Sequence, residues 1–272
     1  MLGSDIIVNI VSKHWNTQWA KKRALMNGLD DIPEDFRKTK LVACIEPHSS
    51  AVNLAGLMER CDKIGIPREL RRDTLVGSPP YTLHVDGLSI TRISLRHSYF
   101  ANSILTHLKQ PDRPITVLEI GPGFGGLAAL LNRVIDIGTY CLVDQRICLD
   151  MQAHFLSRAC PDLKCMFLLP SDKWNVTPDI VINTHSFVEM DPPEVARYFT
   201  KIQESLWRGP INGGSLYSVN LRDWHVSSFR GFPYDRCWRY PILRKSLYAP
   251  RYVECLSVRD SSADSDHPDK LL

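Results

Sequence analysis

The stretch Val117-Leu-Glu-Ile-Gly-Pro-Gly-Phe-Gly-Gly126 combines the end of an apolar strand, a glycine-rich turn and the start of a helix. Gly121, Gly123 and Gly125 allow the backbone to approach a ligand without interference from a Cβ atom. The N-terminus of the following helix offers unpaired N–H groups and a partial positive charge. The segment therefore predicts a ligand-binding loop within an α/β unit.

Strand-like and helix-like segments alternate around this loop, over residues 114–220. Strands that alternate with helices form a parallel sheet with helices on both faces. We therefore expect a Rossmann-like α/β fold with a mostly parallel sheet, whose core extends over residues 114–260. Strands are expected at 115–120, 139–143, 165–169, 179–183, 215–219 and 252–258, and helices at 127–134, 148–158 and 193–206.

The regions on either side of this core have different sequence patterns. Residues 1–113 are predicted to be mainly helical and to cap the acceptor side of the core, with helices over 6–25, 51–64 and 95–108. Asp86-Gly87 predicts the turn of a short hairpin between the last two helices. Residues 261–272 are polar, and we expect a flexible tail there.

Composition and net charge indicate to which broad classes of protein the chain can belong. The 272 residues carry a net charge of only +3, and 44% of them are hydrophobic, which indicates a globular protein and gives no reason to expect nucleic acid as a partner. No apolar stretch is long enough for a transmembrane helix, so no membrane partner is expected either. The eight cysteines show no C-x-x-C spacing, and no signal peptide is evident, so we expect a cytoplasmic protein with free thiols. Nothing indicates the oligomeric state.

Two cofactor patterns fit the glycine-rich stretch. Gly121, Gly123 and Gly126 satisfy G-x-G-x-x-G, the fingerprint of dinucleotide-binding proteins. Glu119, two residues before the first glycine, would repel a diphosphate but would complement the ammonium and sulfonium charges of S-adenosylmethionine. We therefore expect S-adenosylmethionine, with a dinucleotide or a purely structural turn as the alternatives.

Further cofactor contacts are expected from neighbouring segments. Asp144 ends the second strand, about 20 residues after the loop, where an acid can accept hydrogen bonds from ribose hydroxyls. Gln145 is expected to line the same pocket. After the third strand, Asp172 could accept a hydrogen bond from the adenine amino group, although helix capping fits equally well. Arg96 could bind the carboxylate of the cofactor, because a guanidinium group matches its geometry.

The chemistry is expected after the fourth strand, in Thr184-His-Ser-Phe-Val-Glu-Met190. Ligands in open α/β sheets bind beyond the carboxyl ends of the strands. A hydroxyl becomes a good nucleophile when a base removes its proton, so His185 is the first candidate base and Glu189 the second. Glu189 and Asp191 could instead hold a divalent metal, although we expect no metal. Asn220 could face the acceptor.

Three segments together resemble the sugar O-methyltransferase family. They are Val117–Leu131 (VLEIGPGFGGLAALL), Cys141–Gln145 (CLVDQ) and Asp179–Phe199 (DIVINTHSFVEMDPPEVARYF). The resemblance implies a class I methyltransferase fold, S-adenosylmethionine as cofactor and a sugar hydroxyl as acceptor. It also implies functional roles for the loop glycines, for Asp144 and for the stretch His185–Glu189.

The loop departs from the family pattern at Pro122 and Phe124, where glycine and tyrosine are more usual. The resemblance therefore supports the cofactor more firmly than the acceptor. Our first hypothesis is methylation of a sugar or glycan hydroxyl, and the second is methylation of another small molecule. A nicotinamide-dependent oxidoreductase and a non-catalytic binding module are the alternatives from other classes.

Overall fold

The computed structural model of the chain describes residues 32–39, 42, 50–108, 111–207, 214–221 and 238–259. Before the core it contains helix α1 (Ala51–Ile64), strands β1 (Leu83–Val85) and β2 (Leu88–Ile90), and helix α2 (Arg92–His107). Helix α1 and the hairpin lie where they are predicted, whereas α2 begins earlier than predicted. The predicted helix over 6–25 and the tail over 261–272 lie outside the described residues.

Local chemistry explains the hairpin and the early start of α2. Asp86 and Gly87 both have positive φ angles, 50° and 74°, as a two-residue hairpin turn requires. Thr91 then caps α2, because its hydroxyl accepts the N–H of Ser94 at 3.1 Å and the Ser94 hydroxyl accepts the N–H of Thr91 at 2.9 Å. This reciprocal capping box fixes the first turn of the helix.

A buried ion pair connects this cap to an earlier segment. The Asp73 carboxylate accepts two hydrogen bonds from the Arg37 guanidinium, at 2.7 and 2.8 Å, and a third from the Thr91 hydroxyl at 2.6 Å. Arg37 is only 1% exposed. The short helical turn at Phe36–Lys38 is thereby attached to the N-terminus of α2.

The core is a seven-stranded sheet with helices between its strands. Its strands lie in the order β5-β4-β3-β6-β7-β9-β8, parallel except for β9, which is antiparallel to both neighbours. This arrangement confirms the predicted Rossmann-like, mostly parallel sheet, and adds β8, which the sequence did not predict. The elements are β3 (Ile115–Ile120), α3 (Gly126–Leu131), β4 (Ile137–Val143), α4 (Arg146–Ala159), β5 (Cys165–Leu168), β6 (Ile180–Thr184), α5 (Pro192–Trp207), β7 (Ser215–Leu221), β8 (Trp238–Lys245) and β9 (Tyr252–Arg259).

Strand order determines where a ligand can bind. The chain moves outward from β3 through β4 to β5 and then returns to β6 on the opposite side of β3. The connections after β3 and β6 therefore leave in opposite directions, which opens a crevice at the carboxyl ends of these two strands. The glycine-rich turn follows β3, and the segment with His185 follows β6.

Both faces of the sheet are covered. Leu118 and Ile120 pack with Val195 and Ile202 of α5 on one face, while residues of α2, α3 and α4 pack on the other. Residues of α1 belong to this second cluster, so the described N-terminal part shares a core with the sheet. No helix among the described residues is long and apolar enough to cross a membrane.

Glu254 forms the polar centre of the antiparallel part of the sheet. Its carboxylate is fully buried and accepts hydrogen bonds from the Tyr99 hydroxyl at 2.5 Å, the Tyr217 hydroxyl at 2.8 Å and Arg244 Nε at 3.0 Å. Tyr99 belongs to α2, so one side chain connects that helix to β7, β8 and β9. Burial and the neighbouring carboxylate raise the pKa of Tyr99, which keeps the phenol protonated as a donor.

Removal of this carboxylate should destabilise the fold. In Glu254→Ala two buried tyrosine hydroxyls lose their acceptor, and we expect the free energy of unfolding to fall by about 3 kcal/mol. Glu254→Gln retains one acceptor oxygen and should cost less. Urea denaturation measures both variants, with Glu204→Ala, an exposed position on α5, as the control expected within about 0.5 kcal/mol of the parent. An alanine variant as stable as this control would contradict the assignment.

Candidate active site

A cleft of about 650 Å³ opens at the carboxyl ends of β3, β4 and β6. Its volume lies in the range of small-molecule binding sites. The sheet side contributes Glu119, the glycine-rich turn, Asp144 and the residues after β6. Further lining residues come from α1, α2 and the segment between β8 and β9.

The glycines of the turn have different functions. Gly121 and Gly123, with φ angles of 66° and 63°, line the cleft as predicted. A Cβ atom on Gly121 would collide with the side chain of Ser186, so only glycine allows the loops after β3 and β6 to approach so closely. Gly125, predicted to contact the cofactor, instead packs against Leu156 of α4 and does not line the cleft.

Glu119 lines the cleft from β3 and is only 1% exposed. Its carboxyl group accepts a hydrogen bond from the Tyr140 hydroxyl at 2.6 Å. Burial raises its pKa to about 7; the bond from Tyr140 lowers this pKa, and the charge of Asp144 raises it further. The sequence predicts an anionic Glu119, whereas burial in the folded chain favours its protonated form.

Asp144 lies at the end of β4 and lines the cleft, as does Gln145, the first residue before α4. One Asp144 oxygen accepts the N–H of Gln145 at 2.8 Å, and the other accepts Nε2 of Gln152 at 2.9 Å. The same Gln152 nitrogen donates to the carbonyl oxygen of Gly123 at 2.9 Å. The fully buried Gln152, which the sequence analysis missed, therefore orients both the acid and the turn.

Asp172 does not join this group. Its carboxylate accepts the N–H of Leu169 at 2.8 Å, and the side chain does not line the cleft. Of the two interpretations of Asp172, local capping is the one that the hydrogen bonding supports. Trp174 is buried on the α5 side of the sheet, with its ring centroid 5.9 Å from that of Tyr198.

Arg96 lines the cleft from α2. Its positive charge is among the causes that lower the pKa of His185, which places the guanidinium group within electrostatic reach of that imidazole. The arginine is therefore on the cleft side of the helix and not on its solvent face, as the binding of a cofactor carboxylate requires.

His185 follows β6 with a φ angle of 70°, which is unusual for a residue with a side chain. Its imidazole stacks on Tyr252, with ring centroids 4.2 Å apart, and lies 5.7 Å from the ring of Phe100. Burial, followed by the charges of Arg96 and Arg251, lowers the pKa of His185 to about 3. The ring is therefore neutral at physiological pH, so it can accept a proton, but it is a weak base.

Glu189 ends a single helical turn, Phe187–Glu189, and lies exposed at the cleft wall. Asp191 is exposed and does not line the cleft. Within the described ranges no three histidine, cysteine, aspartate or glutamate side chains lie close enough together to hold a metal ion. The arrangement gives the metal alternative at Glu189 and Asp191 no support.

A buried amide network below the cleft was not predicted. Asn183 Nδ2 donates to the carbonyl oxygen of Ile120 at 3.1 Å and also to the Ser186 hydroxyl. Asn220 Nδ2 donates to Asn183 Oδ1 at 3.0 Å and to the Ser218 hydroxyl at 2.9 Å. Asn220, suggested by the sequence as an acceptor contact, is instead fully buried and stabilises the loop after β6.

The raised pKa of Glu119 predicts a measurable dependence of stability on pH. In the unfolded chain this carboxyl loses its proton near pH 4.5, whereas the folded chain retains the proton until about pH 7. The contribution of this group to the free energy of unfolding is therefore greatest below pH 4.5 and falls by about 3 kcal/mol as the pH rises to 7. Glu119→Gln should remove that share of the decline in pH-dependent urea denaturation, whereas the exposed control Glu204→Gln should not. Identical profiles for Glu119→Gln and the parent would contradict the shift.

Several solved structures are similar to this chain, whereas no protein-family model and no curated protein matches its sequence. Solved structures that are similar include an O-methyltransferase family 2 protein from Planctomyces limnophilus in complex with apigenin, with 15% identity and a TM-score of 0.47 over 60% of this chain and 57% of that one. Mitomycin 7-O-methyltransferase matches with 14% identity and a TM-score of 0.44 over 62% of this chain and 56% of its own. This chain thus covers less than two thirds of the length of either protein. A protein of Methanococcus maripaludis, described as a candidate S-adenosyl-L-methionine-dependent methyltransferase, matches with 13% identity and a TM-score of 0.47 over 60% of this chain and 85% of that one.

Proposed function

We propose that this protein is an S-adenosylmethionine-dependent methyltransferase. The observation that carries the proposal is the buried Glu119 carboxyl in the wall of a cleft that the glycine-rich turn also lines. Ionisation of a buried carboxyl is unfavourable unless a cation compensates it. A cationic ligand is therefore favoured in this cleft, whereas a diphosphate would oppose the ionisation of Glu119 still further.

The cleft residues fit this cofactor. The Gly121 and Gly123 backbones can receive it closely, and the Asp144 oxygens can accept further hydrogen bonds from ribose hydroxyls. Glu119 complements the positive charge, and Arg96 can bind the carboxylate. When bound, the cofactor supplies an electrophilic methyl group on a sulfonium.

We propose a hydroxyl group as acceptor. The acceptor oxygen gains the methyl group, the electron pair of the broken bond stays on the sulfur, and the hydroxyl proton leaves to His185 or to solvent. Because the His185 pKa is about 3, we assign the imidazole first to orienting the hydroxyl and second to removing its proton. Glu189 at the cleft wall is the second candidate base.

The family resemblance in the sequence favours a sugar or glycan hydroxyl as acceptor. The alternative acceptor is another small molecule bound in the same cleft. A nicotinamide-dependent oxidoreductase is disfavoured by the buried Glu119 carboxyl beside the glycine-rich turn. Asp144 does not separate the two cofactors, because an acid at the end of the second strand can also bind the ribose of a dinucleotide. A non-catalytic binding module would bind the cofactor without transferring its methyl group.

Calorimetric titration with S-adenosylmethionine, its demethylated product and NAD separates these classes. We expect both sulfur compounds to bind and NAD to bind at least tenfold more weakly. Asp144→Asn should weaken cofactor binding roughly tenfold to a hundredfold, because it removes a charged hydrogen-bond acceptor. Asp150→Asn, exposed on α4, is the control expected to bind as the parent does. Tighter binding of NAD, or an Asp144→Asn variant with parental affinity, would refute the proposal.

A second test concerns the proton-accepting group. Nuclear magnetic resonance titration of the histidines, with His185→Asn to assign its signals, should show a neutral His185 from pH 8 down to at least pH 5. Arg251→Gln should raise the pKa of His185, because it removes one of the charges that oppose protonation. A His185 that titrates near pH 6.5 in the parent protein would contradict the buried setting described here.

A further inference from the structure

Four arginines line the cleft, and none of them belongs to the parallel strands. Arg60 belongs to α1, Arg92 and Arg96 belong to α2, and Arg251 immediately precedes β9. The acidic lining residues come instead from the sheet and from the loop after β6. If Arg96 binds the carboxylate of the cofactor, as proposed above, three guanidinium groups remain beside the space for the acceptor.

These three guanidinium groups have no acidic partner among the described residues. Arg60 Nη1 donates to the carbonyl oxygen of Tyr248 at 2.5 Å, and Arg251 lies over the ring of Tyr252, 5.1 Å from its centroid. Neither of them, nor Arg92, has a carboxylate oxygen within 4 Å in the described ranges. Elsewhere Arg37, Arg71 and Arg113 each form an ion pair with an aspartate. Among the described residues, positive charge is thus concentrated where α1, α2 and the β8–β9 connection line the cleft.

Tyr248 provides an independent observation at the same place. It lines the cleft, is only 7% exposed and stacks on Tyr99. Its hydroxyl is buried and has no hydrogen-bond partner among the described residues. The nearby positive charges of Arg96, Arg92 and Arg60 oppose the effect of burial on its pKa. Buried hydroxyls without a partner are uncommon in folded proteins, and a polar atom of a ligand or a water molecule would satisfy this one.

An aromatic surface adjoins these polar groups. The stacked rings of His185 and Tyr252 line the cleft, and the ring of Phe100 beside them is tilted by 58° to the imidazole. Such a surface can contact the face of a planar ring or the apolar face of a sugar. The hydroxyl to be methylated would then lie near the His185 imidazole.

We propose that the acceptor is an anionic hydroxy compound, whose carboxylate or phosphate group is bound by Arg60, Arg92 and Arg251. This inference rests on the proposed function. The cofactor carries two positive charges and one negative charge, so its binding makes the cleft more positive and increases the attraction for an anion. Guanidinium groups are well suited to bind carboxylate and phosphate oxygens through paired hydrogen bonds.

An anion in this position would also act on His185. The charges of Arg96 and Arg251 contribute to the low pKa of that imidazole. An anionic group beside Arg251 offsets part of this charge and raises the pKa of His185 towards its usual range. The correct acceptor would thereby make the imidazole a stronger base, whereas a neutral analogue would not.

Matched pairs of probes test the proposal on the full chain loaded with the demethylated cofactor product. The pairs are glucuronate with glucose, glucose 6-phosphate with glucose, and 4-hydroxybenzoate with 4-hydroxybenzyl alcohol, and binding is measured by calorimetry. We expect at least one anionic probe to bind tenfold or more tightly than its neutral partner. The first and third pairs test a carboxylate, and the second tests a phosphate.

Variants show whether the arginines cause the preference. Arg60→Gln and Arg251→Gln should each reduce the preference for the anionic probe about tenfold. Arg68→Gln is the control and should retain the preference, because Arg68 is exposed, pairs with Asp86 and does not line the cleft. The inference is overturned if neutral probes bind as tightly, if no anionic probe binds, or if both cleft variants keep the preference. Binding of the demethylated product is measured in the same samples. If the parent protein does not bind this product, the proposed function itself is refuted. If the parent protein binds the product but shows no preference for anionic probes, this inference alone is refuted.

Discussion

The close approach of the Gly121 backbone to Ser186 is the constraint on which the site depends. It brings the loops after β3 and β6 together at the point where the strand order reverses, and the Asn183 amide stabilises the contact by bonding to both loops. A side chain at position 121 would separate these loops and displace His185 from the cleft wall. The shape of the cleft and the position of the imidazole therefore both depend on the absence of a side chain at Gly121.

Acidic and basic side chains reach the cleft from different structural elements. The parallel sheet presents carboxyl groups, Glu119 and Asp144, while the flanking helices and the β8–β9 connection present guanidinium groups. A ligand that carries both signs of charge is therefore oriented by the cleft before any specific contact forms. Burial is the main cause that raises the pKa of Glu119 and lowers that of His185, and in each case a nearby charge of the same sign acts in the same direction.

Local sequence patterns predicted the alternating part of the fold well, because β3, β4, β6 and β7 contain apolar runs and amphipathic helices follow β4 and β6. Strand β8 was missed because Trp238–Lys245 contains a proline and several charges, and only its pairing with β9 makes it a strand. In the site, the glycine-rich turn and Asp144 could be recognised from spacing. Gln152 and the orientations of Gly125 and Asp172 depend on tertiary contacts that no spacing reveals.

The ion pair between Arg37 and Asp73 has a consequence for any shortened form of the chain. Without residues 32–39, the Asp73 carboxylate would remain buried beside Thr91 with no countercharge, and the start of α2 would be destabilised. That helix carries Arg92 and Arg96, so the loss would extend to two arginines that line the cleft. The cleft thus depends on a segment, residues 32–39, that contributes nothing to its lining.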